Sequence, residues 1–239
     1  MKFIYAIGFI ISALMWPLSN VQASDKKQSL VLTEVRFVES EPGLESYVSR
    51  ILLNEKMMRL DDGIDSSDFI LFDRQTHEIH SFNHSDQTHL IINASQQPLP
   101  DHQLDFKVTQ KVLLDAPKIE GKHVTENQFF SDAKLCKESM NVTGFLPQIT
   151  QTLIDYESAL VRQNLSTLEH TPVGIRDGCY MANNYQQASA YLKTGFPLWV
   201  KDDQGREKKL LDFNTVEKAH SIMQAPPGYR IYYASLNEQ

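Results

Sequence analysis

The sequence predicts an α+β protein in which an antiparallel sheet is covered by helices. Three observations lead there. Short apolar/polar alternations separated by turn residues recur from Leu30 onward, an amphipathic helical pattern interrupts them after Pro147, and two cysteines, Cys136 and Cys179, flank that interruption. Strands at intervals of about eight to twelve residues argue for an antiparallel meander, and a sheet with one apolar face needs a cover.

The elements follow in order. Val31, Val35 and Phe37 share one parity, with Glu34 and Arg36 on the other, as in a half-buried strand. Glu41-Pro42-Gly43 marks a turn. Tyr47 to Leu53 resumes the alternation, with Tyr47, Ile51 and Leu53 on one face and Arg50 on the other, and Asn54-Glu55 reverses the chain into Lys56 to Leu60. Asp61-Asp62-Gly63 is a further turn, followed by strands at Phe69 to Phe72, Ile79 to Asn83 and Thr88 to Asn93. The loop at Gln96 to Asp101 carries Pro98 and Pro100, and Phe106 to Leu114 and His123 to Phe130 read as further strands around Glu120-Gly121.

The period then changes. Pro147 suits a first helical turn, and Ile149, Leu153, Tyr156 and Leu160 follow on one face of a helix of about four turns, with Arg162 near its end facing the negative pole of the dipole. A shorter helix is expected from Tyr185 to Lys193, capped by Asn183 or Asn184 and stopped by Gly195. Phe196 to Lys201 and Lys208 to Asn214 read as a hairpin, and Pro226-Pro227-Gly228 leads into a last strand, Tyr229 to Ala234.

Residues 1–23 read as a secretory signal peptide. Lys2 precedes an apolar run from Phe3 to Trp16, Pro17 breaks it, and Val21-Gln22-Ala23 supplies small residues ahead of a cut before Ser24. The run is shorter than the roughly twenty residues that span a bilayer, and no cysteine follows the cut to take a lipid. The expectation is an exported, bacterial periplasmic protein with no membrane span, residues 24–239 forming a single domain with a helical insertion at 145–193.

In an oxidising compartment an even cysteine count favours one structural bridge, Cys136 to Cys179. It closes a loop of about 44 residues, a constraint of roughly 4 kcal/mol on the unfolded chain. Without a C-x-x-C there is no resolving neighbour for redox chemistry. The formal net charge of −7 leaves no surplus of cations to displace counterions, which speaks against nucleic acid as a partner.

Chemistry-bearing motifs are sparse. His77, His80, His84 and His89 cluster in sequence, yet strand parity sends His77 and His80 to opposite faces, short of the four convergent ligands of a structural zinc site. The run Asp61 to Asp68 lacks the glycine and glutamate spacing of a calcium loop and reads as a solvated turn. There is no G-x-S-x-G elbow and no phosphate-cradling glycine loop, so neither a metal, a cofactor nor a catalytic residue is assigned. Met57, Met58, Met140, Met181 and Met223 read as core, and Tyr229, Tyr232 and Tyr233 as a closing strand with one buried face. Four N-x-[ST] sequons stand at Asn83, Asn93, Asn141 and Asn164, incidental in a bacterium.

Two stretches resemble the periplasmic lipoprotein-carrier superfamily, the LolA/LolB-like half-barrels. One is YVSRILLNEKMMRLDDGIDSSDFILFDRQTHEIHSFNHSDQTHLII, from Tyr47 to Ile92, with Arg59 on its second strand; the other is TGFPLWVKDDQGREKKLLDF followed by APPGYRIYY. Together they cover about a third of the chain after the signal segment, as loose alternations, and the Cys136 to Cys179 segment has no counterpart in the basic carriers. The resemblance implies a curved, half-open barrel closed by helices around a hollow for an acyl chain or hydrophobic peptide.

The leading functional expectation is a non-enzymatic carrier or binding module for an apolar small molecule or a lipidated or hydrophobic partner. Its pocket draws on Val35, Phe37, Tyr47, Ile51, Leu53 and Phe69, facing Leu153, Tyr156 and Leu160, the same residues an ordinary core would use. The alternatives are a solid-cored protein-interaction module and a hydrolase of unfamiliar type.

Overall fold

The alternation of the first third builds a six-strand meander: β1 (Ser29–Ser40), β2 (Tyr47–Leu53), β3 (Met57–Asp61), β4 (Phe69–Asp73), β5 (Ile79–Asn83) and β6 (Thr88–Ile92). These strands come from a computed structural model, which describes residues 29–93, 105–168 and 170–234. Residues 1–23, read as a signal segment, the polar start at 24–28 and the Gln96 to Asp101 loop lie outside those residues. Among the described residues no helix is long and apolar enough to cross a membrane.

A second antiparallel run follows: β7 (Phe106–Leu113), β8 (Val124–Ser131), β9 (Lys134–Val142), β10 (Phe196–Asp202) and β11 (Glu207–Ala219). β11 pairs antiparallel with β1, so the two runs fuse, and β12 (Arg230–Tyr233) adds to β6 in parallel. The result is a 12-stranded open sheet in the order β12-β6-β5-β4-β3-β2-β1-β11-β10-β9-β8-β7. Its pairings are antiparallel apart from β12–β6. Register shifts at Arg36/Phe37 on the β1–β11 seam and at Phe129/Phe130 and Pro197/Trp199 in the second run place bulges there, each a local bend and extra twist.

Register sorts the faces. Leu53, Met58, Phe72, Ile79 and Ile92 stand opposite one another across five successive strands and belong to one buried cluster. The helix α1 (Pro147–Leu168) lays Ile149, Leu153, Tyr156 and Ala159 against that cluster, with Tyr156 edge-on to Phe72 at 5.5 Å between ring centres. Burying each such side chain contributes about 1.5–3 kcal/mol.

The helix is longer than the four turns expected, and the reason is a change of partner. Beyond Leu160 its buried residues shift to Val161 and Leu165, which pack on Met181, Tyr185 and Ala188 rather than on the sheet. Arg162 therefore sits inside the helix, and its last turn holds no basic residue.

The disulfide-linked segment differs from expectation in two ways. It opens on a strand that the sequence reading left unassigned: Lys134–Val142 is β9, disguised because its inward residues are polar. Ser139 and Asn141 are wholly buried beside Asn127, and Asn141 donates 2.7 Å hydrogen bonds to the carbonyls of Tyr191 and Gly195. The Tyr185 to Lys193 helix is instead split. α2 (Gly178–Met181), capped by Asp177 accepting from the Tyr180 N–H, runs into a π-helical turn at Ala182–Gln186, and α3 (Ala190–Lys193) follows before Gly195. Asn183 and Asn184 lie within the wide turn and cap nothing. The bridge itself is present, Cys136 on β9 bonded to Cys179 on α2.

The sheet's other face is covered by the chain's end. A 3-10 turn, His220–Met223, packs Ile222 and Met223 on Leu32 and Leu52, and Tyr229 packs on Phe69, Leu71 and Phe82. Arg50, Arg59 and Asp61 are buried on this face. Asp61 accepts from Arg50 at 2.8 and 2.7 Å and from Arg59 at 2.6 Å, while Arg59 also donates to the carbonyls of Ile222 and Asp65. The acidic run is thus no simple solvated turn. Asp62 to Ile64 face water, but Asp61 anchors two cations, and Asp65 meets Arg50 at 2.8 Å.

Candidate functional site

Val35, Phe37, Ile51, Leu53, Leu153 and Tyr156 meet in the single cluster beneath α1, and Leu160 packs against its edge. Two of the nine proposed ligand-binding residues lie elsewhere. Tyr47 shares the parity of Ile51, but it sits at the rim beyond the helix, 45% exposed, donating its hydroxyl to Glu39 at 3.2 Å. Phe69 is on the opposite face. Ile70 and Phe72 supply β4's part of the core, so Phe69 and Leu71 point away, and Phe69 stacks on Phe82 beneath the Arg59 guanidinium.

Of those nine residues Leu53 also borders a recess, of about 810 Å³, at the end of the sheet where β1 begins. Its walls come from three places: Leu30, Val31 and Leu32 of β1, Met57 at the β2–β3 turn, and Met223 of the covering 3-10 turn. Polar groups ring these, among them Asn54, Lys56 and Gln148 at the start of α1. Val31 is 64% exposed there.

His80, His84 and His89 share the face of Phe82, while His77 stacks on Phe72 of the cluster under α1, so His77 and His80 lie on opposite faces as strand parity predicts. His80 Nδ1 and His89 Nε2 lie 3.0 Å apart, and His84 contacts the Tyr229 hydroxyl. Burial and the neighbouring His80 hold His89 below the usual imidazole range. No group of three or more metal-ligating side chains occurs among the described residues. Of the sequons, Asn141 is fully buried with its amide engaged twice, so the folded chain cannot present it for modification. Met58, Met181 and Met223 are core; Met140 is not. Tyr232 and Tyr233 are exposed on β12, against the half-buried expectation, because β12 is an edge strand with a partner on one side only.

Sequence reading missed a second group entirely. Lys137, Glu157 and Tyr191 converge in a polar recess at the opposite end of β1. Nothing in the sequence brings them together. They lie on β9, α1 and α3, and β9 is a strand that the sequence pattern does not reveal.

No protein-family model matches the chain, and no curated protein sequence does. Solved structures with a partial likeness include PNGF-II in its C2 form, 11% identical over 85% of this chain and 31% of that one, with a TM-score of 0.41. The P21 form of PNGF-II gives 12% identity, 85% and 32% coverage and a TM-score of 0.40. An uncharacterized conserved protein from Thermus thermophilus gives 10% identity, 87% and 93% coverage and 0.39. This chain spans less than a third of PNGF-II. Likeness at this level carries no argument about function.

Proposed function

We propose that this chain is an exported, non-enzymatic binding module on a half-barrel of the lipoprotein-carrier kind, and that it holds an apolar ligand such as an acyl chain or a hydrophobic peptide segment. The observation that carries the reading is the recess at the start of β1. About 810 Å³ falls in the range of roughly 300–1,000 Å³ typical of ligand sites, and its mixed lining of apolar and polar side chains suits a chain with a wet head. The space between α1 and the sheet is taken up by Leu153, Tyr156 and their partners, so the ligand sits beside the helix rather than beneath it. A disulfide in the oxidising periplasm accords with the signal segment.

Native mass spectrometry of protein purified from its own host, with titration of the fluorescent acyl mimic N-phenylnaphthylamine, tests this. The expected result is a co-purifying lipid mass and saturable probe uptake, both lost in Val31→Asp, an exposed position where the change leaves the fold intact. A wild-type protein that takes up neither lipid nor probe overturns it.

One observation favours a second reading, a protein-interaction module. Ile231, Tyr232 and Tyr233 stand exposed together on the β12 edge, residue types that anchor interfaces. A stoichiometric protein partner in the same spectra, lost on Tyr233→Ser, supports that reading instead.

A further inference from the structure

The recess around Lys137 and Glu157, about 350 Å³, is a distinct feature and independent of the acyl-chain reading. Its charges divide into matched and unmatched groups. Glu39 meets Lys208 at 2.7 Å, Asp202 meets Arg206 at 2.6 Å, and Glu207 meets Lys201 and Lys209 at 3.1 and 3.0 Å. Among the described residues Lys137, Glu157 and Glu41 have no ion pair; Glu41, at the rim, accepts from the Tyr47 hydroxyl at 3.4 Å. Glu157 accepts one long hydrogen bond, 3.5 Å from the Tyr191 hydroxyl, and the Lys137 ammonium lies over the Tyr191 ring, 4.6 Å from its centre, donating to no side chain.

Both side chains are half-buried in the wall of the recess. Burial pushes the Glu157 carboxyl above the usual carboxylate range and the Lys137 amine below its own, and the attraction between them offsets this only in part. Unmatched charges withdrawn from bulk water are costly, and they persist in folded proteins where something else is served.

The walls are built to hold them still. Lys137 follows Cys136, whose sulfur is bonded to Cys179, and Asn183 on the π-helical turn donates to the Cys136 carbonyl at 3.2 Å. Tyr191 is fixed through its carbonyl by Asn141, and Asn184 donates to the Tyr180 carbonyl at 2.9 Å. A π-turn inserted in a helical segment is a recurrent mark of functional sites. Here it sets both asparagines on the lining of the recess that holds the unmatched pair.

We infer that this recess is a second binding site, which takes a small organic acid also bearing a hydroxyl or amino group, the acid on Lys137 and the donor on Glu157. The acid supplies the charge-assisted partner Lys137 lacks, and the hydroxyl or amine gives Glu157 the donor that Tyr191 supplies only at long range. At about 30 Å³ for each water displaced, the space suits a ligand of roughly a dozen non-hydrogen atoms.

Isothermal titration of the disulfide-intact mature protein with D-glycerate, L-serine, D-glucuronate and glycerol 3-phosphate tests the site. At least one binds the wild type with a Kd below about 1 mM, and Glu157→Gln and Lys137→Met each weaken it at least tenfold, about 1.4 kcal/mol. Uptake of N-phenylnaphthylamine is unchanged in both variants, which separates this site from the apolar recess. Amide chemical shifts of the wild-type protein move at residues 137, 157, 183, 184 and 191, a readout that needs no variant to fold. Absence of binding to all four acids, undiminished binding in both variants, or shifts confined to other residues would each overturn the inference.

Discussion

Asp61 and Arg50 form a two-point pair on the face of the sheet away from α1, at 2.8 and 2.7 Å, with the Asp61 side chain fully buried. Arg59 closes the same carboxylate from the other side and lies over Phe69, 3.8 Å from its ring centre. One carboxylate therefore ties β2, β3 and, through Arg59, the Ile222 carbonyl of the covering turn.

Asp61→Ala leaves two buried guanidinium groups without their shared anion, and breaking a buried pair in this way costs about 3–5 kcal/mol. Urea unfolding checks it, with the midpoint falling and the slope unchanged. A loss below about 1 kcal/mol would show that the arginines find other partners.

The same carboxylate makes stability depend on pH. Burial alone would raise its pKa, but the hydrogen bonds from Arg50 and Arg59 outweigh burial and hold it below the usual carboxylate value. A depressed folded pKa means the contribution is whole above the unfolded value, near about pH 4, and is lost as pH falls through the lower folded value. Wild type is expected to lose stability across that acid window more steeply than Asp61→Asn, measured by unfolding at several pH values.

Leu153→Ala removes a buried side chain at the centre of the cluster under α1 and is expected to cost about 2–5 kcal/mol. Probe uptake per folded molecule stays at the wild-type value, since Leu153 does not border the recess. A change in affinity larger than the change in stability explains would put the ligand under the helix.

Gly195 has φ of +133°, and a Cβ there would meet the Val142 carbonyl and the Thr143 amide nitrogen at 2.8 Å. Gly195→Ala is expected to cost at least about 2–3 kcal/mol from backbone strain and that close approach together. Thermal unfolding measures it.

Loss of the bridge, in the paired change Cys136→Ser with Cys179→Ser, is expected to lower stability by roughly 4 kcal/mol. Hydrogen exchange should rise most in residues 178–186, which the bridge joins to β9, and least in the β1–β6 meander. Uniform loosening would show that the segment is held by its packing alone.

The meander was legible because each strand has one apolar face and a turn residue at each end: Tyr47–Leu53 and Ile79–Asn83 match the expected bounds residue for residue. β9 was illegible because Ser139 and Asn141 fill its inward positions; Asn141 is buried with hydrogen bonds to groups about fifty residues away, and Ser139 accepts from Asn127 on the next strand. Phe69 was misplaced because Phe69-Ile70-Leu71-Phe72 is apolar on both faces, and parity along one strand does not say which face meets the helix. The unmatched pair at Lys137 and Glu157 carries no local pattern at all. Its chemistry arises from three elements meeting, which spacing along the chain does not encode.

The pairing of β1 with β11 has a consequence for how the chain matures. Arg36 finds Asp212 across 176 positions, at 2.8 Å, so the seam joining the two halves forms only once nearly the whole polypeptide is free. Distant pairings of this kind slow folding. Until then β1, paired with β2 on one side only, presents an open hydrogen-bonding margin beside Val35 and Phe37, and a chain halted before residue 207 would leave that edge exposed. Premature truncation is therefore more hazardous to this molecule than clipping its last strand.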